Sequence, residues 1–240
     1  MSVAKTVSKE LKALANPAKA LGLARFFKTG KGEYGEGDVF YGITVPQTRL
    51  IARKHANQAT LEDARVLLHS RVHEERLAAL LMLVGKFQKA GAVEKRKIFE
   101  FYLRNAKRVN NWDLVDLSAH RIVGAFLQES VGKKESMRFL KKLAQSESVW
   151  ERRIAVLATF QFINKRDCKP ALAIATALLH DEHDLIRKAV GWMLRETGKR
   201  CSEKQLLDFL DRHAAEMPRV TLRYAIERLP EHDRKRCLKA

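Results

Sequence analysis

The chain has 240 residues, 46% hydrophobic and 31% charged, with a formal net charge of +18 at pH 7. This apolar content excludes a disordered protein, and the longest uncharged runs, residues 154–164 and 170–180, are too short to cross a membrane, which takes about 20 residues. The excess of lysine and arginine favours a polyanionic partner, because each neutralised phosphate releases condensed counterions.

The N-terminus and the cysteines bear on where in the cell the protein is expected. The N-terminal residues lack the apolar segment of a secretory signal, so we expect a cytoplasmic protein, associated with the nucleoid if the source is bacterial. Cys168, Cys201 and Cys237 are odd in number and widely spaced. We therefore expect reduced, mostly structural thiols and no cysteine metal site.

The segment Gly30–Val45 is the one clear irregular stretch of the chain. Gly30–Gly35 formally matches the pattern GxGxxG of nucleotide-binding loops. The preceding residues Leu21–Lys28 have a helical pattern where that motif needs a strand, and Glu33 would repel phosphates. The segment is therefore predicted to connect two helices, the second of which begins at Pro46.

Helical periodicity dominates the following residues. Glu74–Lys89 carries apolar residues on one face at a helical spacing. Asn110, with Asp113 three residues later, indicates another helix start, and this helix is predicted to run to about Gln128.

The C-terminal half has the same character. Ser148 followed by Glu151 is a capping box that starts a helix. Asp184 is predicted to cap the helix Leu185–Glu196, and Gly198 to end it. Alternating β-type segments are nearly absent, so the sequence predicts an all-α fold.

The helices also repeat. Arg76, Val115, Arg153, Lys188 and Arg223 occupy matching positions, at steps of 39, 38, 35 and 35 residues. Second helices precede several of them, at Lys133–Ala144, Pro170–Leu179 and Glu203–Ala214. This period is typical of a HEAT-like α-solenoid of antiparallel helix pairs, with a concave face on which each repeat presents basic residues. We expect one domain over residues 1–240.

Three tryptophans lie at or near the start of predicted repeat helices: Trp112, Trp150 and Trp192. A tryptophan at helical spacing is most often a core residue. Asp116 follows Trp112 by four residues and thus shares its helix face. Its carboxylate is either exposed to solvent, paired with a base such as Arg153, or positioned for chemistry, and the residues alone leave these alternatives open.

Several segments, in order and at compatible spacing, resemble the AlkD-type DNA glycosylases of the AlkC/AlkD HEAT-like repeat superfamily. The resemblance covers roughly residues 15–230. The segments are FYGITVPQTRLIAR (40–53), NNWDLVD (110–116), VWERRIAVL (149–157) and RKAVGWMLRE (187–196).

The resemblance implies excision of N3-alkyladenine and N7-alkylguanine from duplex DNA. We expect no cofactor and no metal. It implies a catalytic aspartate at Asp116, an adjacent arginine at Arg153, and tryptophans lining the DNA cleft at Trp112 and Trp192. Phe26 stands where the family has a tyrosine, which puts in doubt any hydrogen bond made by that hydroxyl. Family members are understood to act without extruding the base into a pocket, which would allow bulky cationic adducts.

The remaining predictions concern the partner. We expect a monomer that binds double-stranded DNA and no membrane. The residues predicted to contact DNA, besides Phe26, are Arg49, Arg53, Lys54, Arg187, Lys188, Arg195 and Arg223.

Two other functions compete with a glycosylase. Asp113, Asp116 and His120, or the cluster His180–Asp184, would be candidates for a metal-dependent phosphodiesterase, although neither forms an HExxH motif or a paired Cys/His set. Asp113 is also explained by the helix dipole, which favours an acidic residue in the first turn. The stronger rival is a non-catalytic HEAT-repeat protein that binds DNA structures or acts as a scaffold.

Overall fold

The computed structural model describes residues 2–239. Within this range the chain is all-α and is built from packed helix pairs, which confirms the predicted fold class. The only extended pairing in the described chain is an isolated bridge between Val39 and Val72. None of the helices in this range is both long and apolar enough to pass through a membrane.

The chain divides into two compact units, one ending at Ile122 and the other beginning at Val123. The first unit contains α1 Val3–Ala13, α2 Pro17–Phe26, α3 Val45–His55, α4 Leu61–Leu68, α5 His73–Lys89, α6 Ala92–Arg104, a 3₁₀ turn Ala106–Arg108 and α7 Trp112–Ala119. The second contains α8 Ala125–Ser130, α9 Lys133–Ala144, α10 Val149–Asn164, α11 Lys169–Ala177, α12 Asp184–Arg200, α13 Glu203–His213, α14 Arg219–Ile226 and α15 Glu231–Lys239. A π-helical turn, His120–Gly124, lies between α7 and α8.

Helix α5 is the centre of the first unit. It packs against α3, α4 and α7, and most of its residues are buried. Leu80 and Leu83 on this helix are fully buried. A helix that is apolar around most of its circumference needs neighbours on several sides, and the short helices around α5 supply them. The GxGxxG segment lies in the connection between α2 and α3, as predicted.

Helix α12 is the centre of the second unit, where it packs against α10, α13 and α14. Its glycines allow the neighbouring helices to approach closely. A Cβ atom at Gly191 would lie 2.5 Å from the carbonyl oxygen of Thr221 on α14. One at Gly198 would lie 2.5 Å from Leu206 Cδ2 on α13. Gly198 was predicted to end the helix, which was wrong: α12 continues to Arg200, because Gly198 makes room for α13.

The predicted helix starts need smaller corrections. Asn111, and not Asn110, caps α7, because its side chain accepts a hydrogen bond from the backbone N–H of Trp112. Ser148 caps α10 as predicted, by accepting from the backbone N–H of Glu151. Asp184 is the first residue of α12, and His183 precedes it as the cap.

The cysteine prediction was also wrong in part. Cys168 and Cys201 form a disulfide within the second unit, between the start of α11 and the end of α12. Cys237 is free and buried. The fold brings two thiols 33 positions apart to a Cα–Cα distance of 6.1 Å, which sequence spacing does not indicate.

Candidate active site

Trp112 is the first residue of α7, in the first unit. Asn111 fixes the start of the helix, and the indole is half-buried. The indole contacts the ring of Phe26 edge to face at 5.9 Å between centroids, and stacks on Phe27 at 5.3 Å. Phe26, the last residue of α2, is 62% exposed. The two aromatic residues that the sequence assigned to the DNA cleft in this unit are therefore in contact and partly open to solvent.

Asp116 lies one turn after Trp112 and is half-buried. The phenol of Tyr102, fully buried and hydrogen-bonded to Ser118 at 2.9 Å, has a raised pKa, first because of burial and also because of the negative charge of Asp116. The carboxylate therefore lies close enough to the interior to act electrostatically on a buried group.

The turn after Asp116 is held by His120. Burial, reinforced by the charge of Arg121, lowers the pKa of His120 to about 4, so its imidazole is neutral at pH 7. Its Nδ1 lies 3.1 Å from the backbone oxygen of Asp116, and its Nε2 lies 3.2 Å from Nε of Arg121. A neutral ring that donates from Nδ1 and accepts at Nε2 satisfies both contacts.

Arg153 and Trp192 belong to the second unit. Arg153, on α10, is only 5% exposed, and its guanidinium donates a hydrogen bond to the carbonyl oxygen of Leu185. Trp192 is half-buried, with its ring 6.3 Å from that of Phe160. It lies in the middle of α12, which corrects the prediction that it lies near a helix start. The adjacent Gly191 lets α14 approach and so limits the positions open to the indole.

Two basic positions of the repeat do not form an exposed basic face. Arg76 is only 3% exposed and Arg153 only 5%. Trp150 is 9% exposed and belongs to the core of the second unit. Each repeat position does lie on a helix, as the period predicted. The period does not reveal burial, however, and burial removes these two arginines from the surface.

Three cations of the first unit were predicted to contact phosphate, and two of them form no ion pair among the described residues. Arg49 is half-buried and Arg53 is exposed, one turn apart on α3, and within residues 2–239 neither forms an ion pair. Lys54 pairs with Glu10 at 2.7 Å. Arg49 and Arg53 are therefore the better candidates for a polyanion.

In the second unit, three of the four predicted cations already have protein partners. These are the carbonyl oxygen of Asp181 for Arg187, the carboxylate of Asp184 for Lys188, and that of Glu227 for Arg195. Arg223 is exposed and forms no ion pair in the described part of the chain. Arg223 therefore remains the most available of the four.

The sequence analysis missed a buried polar cluster beside Trp112. His73, the first residue of α5, lies 2.8 Å from Oδ2 of Asp113 through Nε2, and 3.5 Å from Oδ2 of Asp38 through Nδ1. Arg76 donates to the same oxygen of Asp38. Asp113 was interpreted as a residue favoured by the helix dipole, and its bond to His73 is a second and stronger reason for its presence.

The ionisation of this cluster follows from its contacts. Burial alone would lower the pKa of His73, but hydrogen bonds to Asp113 and Asp38 outweigh it, and the pKa is raised. Burial alone would raise the pKa of Asp38, but the hydrogen bonds and charges of His73 and Arg76 hold it below its ordinary value. The charged forms of both groups are thus stabilised by folding.

These shifts predict a pH dependence of stability. A raised pKa means that His73 contributes fully below its ordinary value of 6.5 and less as the pH rises through the folded value. Asp38 contributes above 3.8 and loses its contribution as the pH falls through its lowered value. We expect the stability difference between the wild type and His73→Gln to be largest between these values and to shrink above pH 6.5. Urea unfolding across pH 4–9 measures it; a constant difference would contradict the assignment.

The segment FYGITV (40–45), which carries part of the family resemblance, is held in place by hydrogen bonds from its backbone. The carboxylate of Glu74 accepts hydrogen bonds from the backbone N–H groups of Tyr41, Gly42 and Ile43, at 2.9–3.2 Å. Gly42 has φ +83°, and a Cβ there would overlap the carbonyl oxygen of Asn16. The segment is thereby fixed between α2 and α5, a pairing that its sequence alone did not indicate.

The two clusters that the sequence offered as metal sites have other contacts in the structure. Among residues 2–239, no group of three or more His, Cys, Asp or Glu residues is arranged to hold a metal ion. His120 instead bonds to the backbone of Asp116, and Asp181 pairs with Arg152 at 2.7 Å.

A family model described as DNA alkylation repair enzyme matches residues 7–229, which include every candidate site residue named above. The chain belongs to the DNA alkylation repair enzyme family. This confirms, at the level of the family, the resemblance found in the sequence, and it makes DNA the expected partner of a family member.

Solved structures support the fold of this DNA alkylation repair family member. A predicted DNA alkylation repair enzyme from Enterococcus faecalis is 16% identical, with a TM-score of 0.69 over 90% of this chain and 97% of that one. The crystal structure of smu.31 from Streptococcus mutans UA159 is 17% identical, with a TM-score of 0.57 over 95% and 98%. A comparison with curated proteins found no match. At these identities the likeness extends to the fold.

Proposed function

We propose that the protein is a DNA glycosylase that excises cationic alkylated purines, N3-alkyladenine and N7-alkylguanine, from duplex DNA. The observation that carries the proposal is the pair formed by Trp112 and Asp116, one turn apart and both half-buried on α7, in a chain of the DNA alkylation repair enzyme family. Residues 1–240 act as one functional domain, because the family match runs through both units.

The chemistry needs one carboxylate. A purine alkylated at N3 or N7 already carries a positive charge, so it leaves as a neutral base without protonation by a general acid. As the N-glycosidic bond breaks, positive charge develops on the deoxyribose in an oxocarbenium-like transition state. Asp116 stabilises that charge and orients a water molecule, whose oxygen bonds to the sugar carbon while its proton passes to solvent.

The remaining site residues bind and orient the substrate. The indole of Trp112 offers a face to the cationic nucleotide and contributes about 0.5–2 kcal/mol through cation–π attraction. Trp192 contacts the DNA from the second unit, as the family resemblance implies. Arg153 is buried and acts indirectly: its guanidinium, bonded to the carbonyl oxygen of Leu185, holds the first turn of α12, the helix that carries Trp192. The protein acts as a monomer, inside the cell, and without extruding the base from the stack.

The test is release of N7-methylguanine from a methylated duplex by the purified protein, with a uracil-containing duplex as the control. We expect release of the methylated base and none of uracil, because the site has no acid to protonate a neutral leaving base. Release that persists in a chelator is expected from a metal-free mechanism. Tight, salt-dependent binding without any release would instead identify a non-catalytic DNA-binding protein.

Removing the two uncommitted arginines of α3 is expected to weaken binding to all DNA sequences alike. Each phosphate contact contributes about 0.9 to the slope of log affinity against log salt concentration. Replacing both Arg49 and Arg53 with alanine should therefore lower that slope by about two. The control is the double alanine variant of Arg65 and Arg138, each of which pairs with a glutamate on its own helix. An unchanged slope in the first variant would remove α3 from the DNA-binding surface.

A further inference from the structure

The turn that follows Asp116 holds an arginine that no sequence motif singled out. Arg121 is exposed and lies in the π-helical turn His120–Gly124. Among residues 2–239 it forms no ion pair, and its guanidinium makes one hydrogen bond, from Nε to Nε2 of His120 at 3.2 Å. Short π-helical turns are rare and occur frequently at functional sites. Neither the packing of the helix nor an ion pair uses the charge of Arg121.

The contact with His120 fixes the position of the guanidinium. Burial lowers the pKa of His120 to about 4, so the ring is neutral at pH 7. Its Nδ1 donates to the backbone oxygen of Asp116 at 3.1 Å, which leaves Nε2 as an acceptor for the Nε–H of Arg121. A protonated ring would lose this acceptor and repel the arginine. The neutral imidazole therefore links Arg121 to the backbone of Asp116.

This link places the guanidinium on the side of the helix that carries Asp116. His120 follows Asp116 by four residues, so the two share a helix face. Arg121 follows by five, which is about 7.5 Å along a helix axis. Its own position would direct it about 100° away from His120 in a regular α-helix, but Nε lies against the imidazole instead. The cation is thus held within about one turn of the proposed catalytic carboxylate.

The backbone of the turn is fixed by close packing. Ile122 and Val123 are fully buried. A Cβ atom at Gly124 would overlap the carbonyl oxygen of Ala158, so α10 packs directly on the backbone at the end of the turn. A ligand that binds Arg121 does not have to order this backbone, which lowers the entropy cost of the contact.

The free edge of the guanidinium suits a phosphate. With Nε used by His120, the four N–H groups on Nη1 and Nη2 remain as donors. Two parallel N–H groups of an arginine match two oxygens of one phosphate, with a geometry that a lysine does not reproduce. In DNA, a phosphate flanks each deoxyribose on either side. The anion within reach of Arg121 is then the one beside the sugar on which Asp116 acts.

We propose that Arg121, oriented by His120, binds the phosphate next to the deoxyribose of the alkylated nucleotide and positions that sugar against Asp116. The identity of the polyanion and the role of Asp116 rest on the proposed function. Arg121 is a positioning residue, because it contacts the backbone of the DNA and no reacting atom. A contact to the backbone leaves the base in the stack.

The test is equilibrium binding of the full chain to duplexes with one tetrahydrofuran abasic site, in which one phosphate at a time is replaced by a neutral methylphosphonate. We expect one replacement beside the site to weaken binding by the wild type about tenfold, as for loss of a hydrogen bond between charged groups. The same replacement should leave binding by Arg121→Gln unchanged. On the unmodified duplex, Arg121→Gln should bind about tenfold more weakly and lower the slope of log affinity against log salt by about one.

Three further variants separate positioning from charge. Arg121→Lys keeps the charge but has no Nε–H for His120, so it should keep the salt slope and lose the sensitivity to that one phosphate. His120→Phe keeps a flat ring without nitrogens; it should reduce the same sensitivity and add no further loss to Arg121→Gln. Arg212→Gln is the matched control, because Arg212 is exposed and its Nε also donates within its own helix, to the carbonyl oxygen of Asp208 on α13. It should bind as the wild type does.

Wild-type affinity for Arg121→Gln, or equal sensitivity of this variant and the wild type at every phosphate, overturns the proposal. Excision of N7-methylguanine is measured separately at saturating protein, where Arg121→Gln should be about tenfold slower. A wild type that shows the phosphate preference without excision would refute the glycosylase and retain the contact. A wild type that excises without the phosphate preference would refute the contact alone.

Discussion

Replacement of Asp116 with asparagine is expected to slow excision of N7-methylguanine by roughly a thousandfold while leaving DNA binding intact. A unit charge about 4 Å from the developing cation contributes on the order of 4 kcal/mol at an effective dielectric of 20. Each 1.36 kcal/mol corresponds to a factor of ten in rate. Asparagine keeps the shape of the side chain and removes this charge. Single-turnover excision and equilibrium DNA binding measure the two effects separately.

The control for this variant is Asp208→Asn, the same chemical change at an exposed position on α13. It should excise at the wild-type rate. Asp116→Asn should bind DNA as tightly as the wild type or slightly more so, because a negative charge no longer faces a polyanion. Excision by Asp116→Asn within tenfold of the wild type would remove this carboxylate from the mechanism.

Replacement of Arg76 with methionine is expected to destabilise the protein by about 3–5 kcal/mol. The side chains of Arg76 and Asp38 are 3% and 5% exposed, and the guanidinium also donates to the carbonyl oxygens of Ser70 and Arg71. Removing it leaves the buried carboxylate of Asp38 with the imidazole of His73 beside it, at 3.5 Å. Urea unfolding followed by circular dichroism measures the loss.

Two further variants separate a buried charge from a lost contact. Adding Asp38→Asn to Arg76→Met should recover part of the stability, because no unpaired charge then remains buried. Arg65→Met is the matched control: Arg65 pairs with Glu62 on the exposed side of α4, where solvent screens the pair, and little change is expected. An unchanged unfolding midpoint for Arg76→Met would contradict the role of this pair.

Much of this architecture is predictable from local sequence. The helix Lys133–Ala144 has the predicted bounds, and the glycine-rich segment near Gly30 lies between helices as its composition indicates. Ser148 caps α10 through the side-chain hydrogen bond that its position implies. These features depend on hydrophobic periodicity, capping and turn chemistry, all of which act within a few residues. The motifs around Trp112 and Asp116 likewise carry the family resemblance in contiguous segments.

Long-range packing decided the rest. The sequence by itself determined an all-α fold built from helix pairs, a strongly basic charge and membership of a DNA repair family, because periodicity, composition and short motifs are local properties. Only the tertiary structure decided that Arg76 is an interior ion-pair partner, that Cys168 meets Cys201, and that Asp113 bonds to His73. Each depends on residues at least 33 positions apart, which no helical period brings together. Their contact follows from which helix faces are buried against one another.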